Sequence, residues 1–199
     1  VGDYPLKYTS GVELRTADCE STGIAEIGFV GRVLLNAYNA LEYGEANGRE
    51  DLAANARSIF DSYLRYGFTP GGLLREVVDF KRGRETDVYS IRRQSEGVYA
   101  LLNYLAYEKQ QGRSHPEWEA RIRTLLEKFL SLQNPDGSFP RKFRDNLTVV
   151  DASGGSTPSA TLPLTMAYTY FKNEAYRRSA RRTADYLEKN LISKADYFS

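Results

Sequence analysis

The 199-residue chain contains one cysteine, Cys19, and one histidine, His115. A single thiol cannot close an internal disulfide or build a cysteine-based zinc site. A single imidazole excludes a histidine-rich metal cluster, and a Cys–His nucleophilic pair would require Cys19 to meet His115. No run of about 18 apolar residues occurs, so no segment reads as a membrane-spanning helix. Neither sign of charge dominates. The 27 Lys and Arg stand against 26 Asp and Glu, a net charge of +1 without the basic excess that nucleic acid or an anionic membrane would call for. The opening Val1-Gly-Asp-Tyr-Pro5 lacks the charged segment and apolar segment of a secretory leader. Nothing in the chain implies a cofactor.

What the sequence does have is helical period, within a length suited to one domain. Residues 1–23 mix Pro, Gly and polar residues and read as a loop, with Ser21 or Thr22 as N-cap of the first helix. From Ile24 to about Tyr43, IAEIGFVGRVLLNAYNALEY is apolar almost all round, as in a helix buried on several faces. Glu50 to Tyr66 places Leu52, Ala56, Ile59, Phe60 and Tyr63 at three- and four-residue spacing, a one-sided outer helix. The order recurs in Ser95 to Gln111 followed by Glu117 to Leu132, and again in Ala160 to Phe171 followed by Glu174 to Leu191. Pro163 is expected in the first turn of its helix, where a missing N–H is harmless.

The repeat shows in fixed offsets. Leu35-Asn36 and Leu102-Asn103 lie 67 residues apart (103 − 36), and Gly72 and Gly137 lie 65 apart (137 − 72). The expected fold is therefore an all-α, toroid-type array of three helical hairpins in a single domain, residues 1–199. Turns within a hairpin are short, whereas the connections 67–94 and 134–159 are long, as is the entry 1–23. Hairpins packed side by side put all the long segments at one end, and long loops in a compact domain usually carry function. His115 falls at the opposite end.

Three segments, Arg92-Arg93-Gln94-Ser95-Glu96-Gly97, QNPDGSFP (Gln133 to Pro140) and DASGGSTPSATLPL (Asp151 to Leu164), resemble the (α/α) toroid proteins. The likeness is nearest to the six-hairpin glycosidase superfamily, particularly members from gut Bacteroides-type bacteria. That resemblance implies a glycoside hydrolase-like protein, with rim carboxylates as general acid and base on an oligo- or polysaccharide, and it suggests an extracytoplasmic location. It also implies six hairpins where this chain has three. The expectation is a fragment of a longer protein or, second, a homodimer, since an open half would leave inner-helix surface exposed. Toroid epimerases and many toroid lyases rely on histidine, and His115 lies at the wrong end for that chemistry.

Glycosidic cleavage needs two carboxyls about 5 to 9.5 Å apart, one kept protonated by its surroundings. At the long-loop end the candidates are Glu96, Asp151, Asp18 and Glu20. Glu96 opens an inner helix and is equally a first-turn acid favoured by the helix dipole. Asp151 precedes a Ser/Gly loop and is equally a turn residue or cap. Asp18 and Glu20 flank Cys19, and Asp136 reads as a turn-former in PDG. Arg75, Arg92, Arg93 and Arg141, with Asp87, Tyr89 and Gln94, are candidates for substrate binding. Guanidinium groups there would recognise the carboxylate or sulfate of an acidic sugar, unless they are solvated loop charges paired with nearby acids. Phe139 reads as a plug anchoring its turn to the core. Two other classes stay open: a non-catalytic helical-repeat module that binds a glycan or protein, and a terpene-cyclase-like toroid, which QNPDGSF also resembles. The chain contains no DxDD or DDxxD motif for the cyclase.

Overall fold

The computed structural model describes residues 11–14, 21–26, 30–79 and 82–194. Three helical hairpins dominate it: α1 (Val30–Ala46) with α2 (Glu50–Tyr66), α3 (Ile91–Gln110) with α4 (Pro116–Leu132), and α5 (Pro158–Phe171) with α6 (Glu174–Tyr186). A π-helical turn, Leu187–Ile192, continues α6. Helix α3 packs against both α1 and α5, so the inner helices form one layer with α2, α4 and α6 outside it. The sequence patterns explain the layering. Helix α3 buries Val98, Leu101, Leu102 and Leu105 among others, while α2 buries the stripe Ala53, Ala56, Ile59, Phe60 and Tyr63. Between the layers Phe60 stacks on Tyr104 with ring centroids 3.7 Å apart, and Trp118 meets Phe60 edge-on at 6.2 Å. Such aromatic pairs add about 0.5–1.5 kcal/mol beyond their area burial. Among the described residues no helix is long and apolar enough to cross a membrane.

The two glycine turns are copies in detail. Gly72 has φ +90° and Gly137 φ +93°, conformations that a Cβ disfavours. In the first turn the Thr69 N–H donates to Leu73 O (2.8 Å) and the Gly72 N–H to Thr69 O (2.9 Å). In the second, the Asn134 N–H donates to Ser138 O (2.9 Å) and the Gly137 N–H to Asn134 O (3.0 Å), each at the same 65-residue offset. The next residue, Leu74 or Phe139, is driven into the core. Its buried backbone must then find partners inside the protein. The Leu74 N–H donates to Gln94 Oε1 (2.9 Å), and Gln94 Nε2 donates to Leu74 O (2.8 Å). The Phe139 N–H donates to Thr157 Oγ1 (2.9 Å). Phe139 is fully buried, as a plug should be, and Asp136 accepts from the backbone and hydroxyl of Ser138 in the manner of a turn-former.

The long connections are not plain loop. One small antiparallel sheet takes β1 (Gly11–Leu14), β2 (Ser21–Glu26), β3 (Val77–Asp79) and β4 (Arg84–Glu85) in that order. A second joins β5 (Tyr89–Ser90), β6 (Lys142–Phe143) and β7 (Val149–Asp151). Four sequence expectations are corrected here. The first helix does not begin at Ile24: Ile24, Ala25 and Glu26 pair with Asp79, Val78 and Val77, a partner strand from a distant loop that overrides local helical pattern. Ser21 and Thr22 therefore lie in β2 rather than at an N-cap. Helix α3 begins at Ile91, with Ser90 as N-cap accepting from the Arg93 N–H, so Arg92, Arg93 and Gln94 lie in its first turn and not in the loop. Pro158 occupies the first turn of α5, which leaves Pro163 inside the helix, where it cannot donate to the Ser159 carbonyl.

The short-turn end is closed by charge. Glu108, 3% exposed at its side chain, accepts from Arg113 Nε (3.0 Å) and lies 2.6 Å from His115 Nε2. Glu45 on α1 pairs with Arg57 and Arg113 and accepts from the Tyr107 hydroxyl (2.5 Å). His115 thus serves this network, far along α3 from its N-terminal loops. Burial pushes the Glu108 carboxyl up, but hydrogen bonds and charge from Arg113 and His115 outweigh it and hold the group below its ordinary 4.5.

Two stability measurements check this description. Ala at Gly137 would drive its Cβ into the Arg182 carbonyl, whereas Ala at Gly48, φ +65°, meets nothing within 4 Å. Denaturant unfolding should show a loss of about 3 kcal/mol or more for Gly137→Ala and about 1 kcal/mol for Gly48→Ala; equal losses would contradict the packing described. A folded-state value below 4.5 means that the stability from Glu108 is complete above that pH and lost as pH falls through the lower value. Glu108→Gln should cost about 2 kcal/mol at neutral pH and flatten the acid side of a Tm-versus-pH curve.

Candidate functional site

The second sheet and the N-terminus of α3 enclose a cavity of about 480 Å³ at the long-loop end. Its wall includes Glu76, Tyr89, Arg92, Arg93, Arg141 and Lys142. Pairing of Tyr89 with Phe143 and Ser90 with Lys142 brings the two long connections together here. Four cations therefore surround one opening in a protein of almost no net charge. An anionic group is the natural complement of such a wall.

The sequence candidates divide by place. Arg92, Arg93, Arg141 and Tyr89 line the cavity. Arg92 Nε lies 3.2 Å from Glu96 Oε1, while Glu96 Oε2 is buried with no hydrogen-bond partner among the described residues. Asp151 Oδ2 lies 3.6 Å from Arg141. Its Oδ1 accepts from the Ser153 hydroxyl (2.7 Å) and N–H (3.0 Å), and these bonds, with the charge of Arg141, hold the carboxyl below its usual range. Asp18 and Glu20 lie outside the described residues.

The other candidates are committed elsewhere. Gln94 is fully buried, with both ends of its amide bound to Leu74, so it locks the turn rather than facing the opening. Arg75 pairs with Glu85 and donates to Tyr66 O (2.9 Å). Asp87 pairs with Arg144 at 3.0 Å, which lowers its carboxyl, and belongs to the outer loop surface. Tyr89 and Phe143 are both buried, so the faces of their rings are spent on the core. Asp145 accepts from Thr69 Oγ1 (2.6 Å) and the Gly71 N–H (2.9 Å), tying one long loop to the first glycine turn.

One cavity residue escaped the sequence analysis. Glu76 is 3% exposed and sits in the wall. Its Oε1 accepts from the Ser90 N–H (2.8 Å) and Gln94 Nε2 (3.0 Å), and its Oε2 lies 3.4 Å from Arg93. Burial is the largest influence and pushes the carboxyl up to about 7, against the opposing pull of those hydrogen bonds and of Arg93. The signal that could have found it is the repeat: Glu76 and Arg141 stand 65 residues apart (141 − 76), two positions after equivalent plugs. The same turn, used twice, delivers an acid and a base to one opening.

No protein-family model matches the chain, and no curated protein matches it. Solved structures do. A sugar epimerase from a ruminal bacterium superposes with a TM-score of 0.71 at 15% identity, covering 97% of this chain and 51% of its own. Cellobiose 2-epimerase from Bacillus thermoamylovorans B4167 gives 0.63 at 17% identity over 87% and 47%. Unsaturated glucuronyl hydrolase from Bacillus sp. GL1 gives 0.58 at 15% identity over 87% and 48%. The chain spans about half the length of each of these structures. They are (α/α)6 toroid enzymes, and the three hairpins of this chain have the fold of half such a toroid.

Proposed function

We propose that this protein is carbohydrate-active and glycoside hydrolase-like, acting on an oligo- or polysaccharide that carries an acidic group. The observation that carries this is the cavity at the long-loop end, four cations around a buried carboxylate. Its setting supports it, because the toroids that share the fold are named for sugar epimerisation and for glucuronyl hydrolysis. Arg92, Arg93, Arg141 and Lys142 would hold the carboxylate or sulfate of the sugar, where planar guanidinium groups bind bidentately. Asp151, kept ionised by Ser153 and Arg141, suits the base that activates water. Glu96, paired with the wall residue Arg92 and with one oxygen unpartnered among the described residues, would be the second carboxylate. The rest of the ring would come from further hairpins or from a second copy of the chain.

A second interpretation follows from the ion pairs, since Arg92, Arg93 and Arg141 each already face a carboxylate. A wall so neutralised would suit a non-catalytic glycan-binding module. Kinetics and binding on uronic-acid oligosaccharides separate the two. For the enzyme, Arg141→Ala should raise KM by about 10- to 100-fold, the worth of one charged hydrogen bond. Asp151→Asn should lower kcat by about 100-fold or more at unchanged Tm. Binding without turnover in the unmodified protein, with affinity intact in Asp151→Asn, would establish the module instead.

A further inference from the structure

We propose that Glu76 is the proton donor of this site, giving its proton to the leaving-group oxygen while Asp151 takes one from water. The inference rests on the hydrolase reading above and names a residue that reading does not need. Three geometric facts carry it. Glu76 is the deeply buried carboxylate of the cavity wall, at 3% exposure. Its Oε1 is already occupied by two donors, the Ser90 N–H and Gln94 Nε2. Among the described residues its Oε2 has one donor, Arg93 at 3.4 Å, which leaves that oxygen as the place for a proton.

The other rim carboxyls suit the role less well. Glu96 is paired with the exposed guanidinium of Arg92 at 3.2 Å and is not one of the residues lining the cavity. Asp151 is held ionised. The charged and titratable groups around Glu76 are Arg93 and Arg92 on α3, Tyr89 on β5, and Arg141 and Lys142 at β6. Arg75, its neighbour in sequence, turns away to Glu85. Burial outweighs the hydrogen bonds from Ser90 and Gln94 and the charge of Arg93 and pushes Glu76 up to about 7. Glu76 in the cavity wall is shifted up and Asp151, beside the wall residue Arg141, is shifted down, a division that suits an acid and a base.

The step balances. The glycosidic C–O bond breaks, its electron pair leaves on the departing oxygen, and that oxygen takes the proton from Glu76 Oε2. Water adds its oxygen to the sugar carbon and loses a proton to Asp151. The net reaction consumes one water and yields two hydroxyl-bearing fragments, after which solvent exchange returns the proton to Glu76.

The test is Glu76→Gln in the full-length protein, read three ways. The probes are a methyl glucuronide, whose leaving group needs a proton, and a 4-nitrophenyl glucuronide, whose leaving group does not. Glu76→Gln should lower kcat on the methyl glycoside by about 100-fold or more and leave the nitrophenyl glycoside within a few-fold of the unmodified protein. The fall in rate on the basic side, centred near pH 7 in the unmodified protein, should vanish in the variant. An infrared carboxylic-acid band that titrates over the same range should also disappear, and this readout does not depend on turnover. Equal losses on both probes, or no loss on either, would overturn the assignment. So would survival of the infrared band in the variant. If the unmodified protein turns over neither probe yet shows the band, the hydrolase reading fails while the buried proton stands.

Discussion

A buried turn needs somewhere to put its peptide groups, and this requirement organises the molecule. After each left-handed glycine the chain enters the core on an apolar residue, Leu74 or Phe139. An unpaired N–H at such depth would cost about 1–3 kcal/mol. The protein meets the demand with a side chain from the first turn or N-terminal edge of the next inner helix, Gln94 in one repeat and Thr157 in the other. The bond therefore fixes where the next inner helix starts relative to the previous outer one. Hairpin spacing, loop placement and the position of the cavity all follow from that contact.

The second unit is stitched further. Gln133, at the end of α4, donates to Gly137 O (3.1 Å), Ser179 O (3.0 Å) and Thr183 Oγ1 (3.0 Å), so one amide joins the turn to α6. The charge arrangement divides along the same axis. At the short-turn end carboxylates and guanidinium groups are packed against one another, with Glu108 and Glu45 satisfied several times over. At the long-loop end the pairs of Arg92, Arg93 and Arg141 with Glu96, Glu76 and Asp151 are longer, 3.2 to 3.6 Å.

Much of the fold was legible because helical burial is periodic. The one-sided stripes of α2 and α4, the broad burial of α3, the plug at Phe139 and the 65-residue repeat all depend on residues near one another in sequence. The strands were not legible. β2 forms because Ile24 to Glu26 find Val77 to Asp79 across fifty residues, and local pattern there favours a helix. The start of α3 was misplaced for a related reason, since the polar run Arg92-Arg93-Gln94 looks like loop until Gln94 has Leu74 to hold.

The candidate site was legible in part. Concentration of arginine at the long-loop end is a property of the sequence, and Arg92, Arg93 and Arg141 do meet at one cavity. Which carboxylate is buried beside them is not, because Glu76, Glu85 and Asp87 look alike as letters in one polar segment. The sequence by itself determined the helix pairs, their order and the end at which long loops gather, since these follow from local periodicity and chain connectivity. Only the tertiary structure decided that Gln94 holds the Leu74 turn and that Glu76 is the carboxyl of that segment shut away from water, because burial and proton affinity depend on neighbours that distant segments supply.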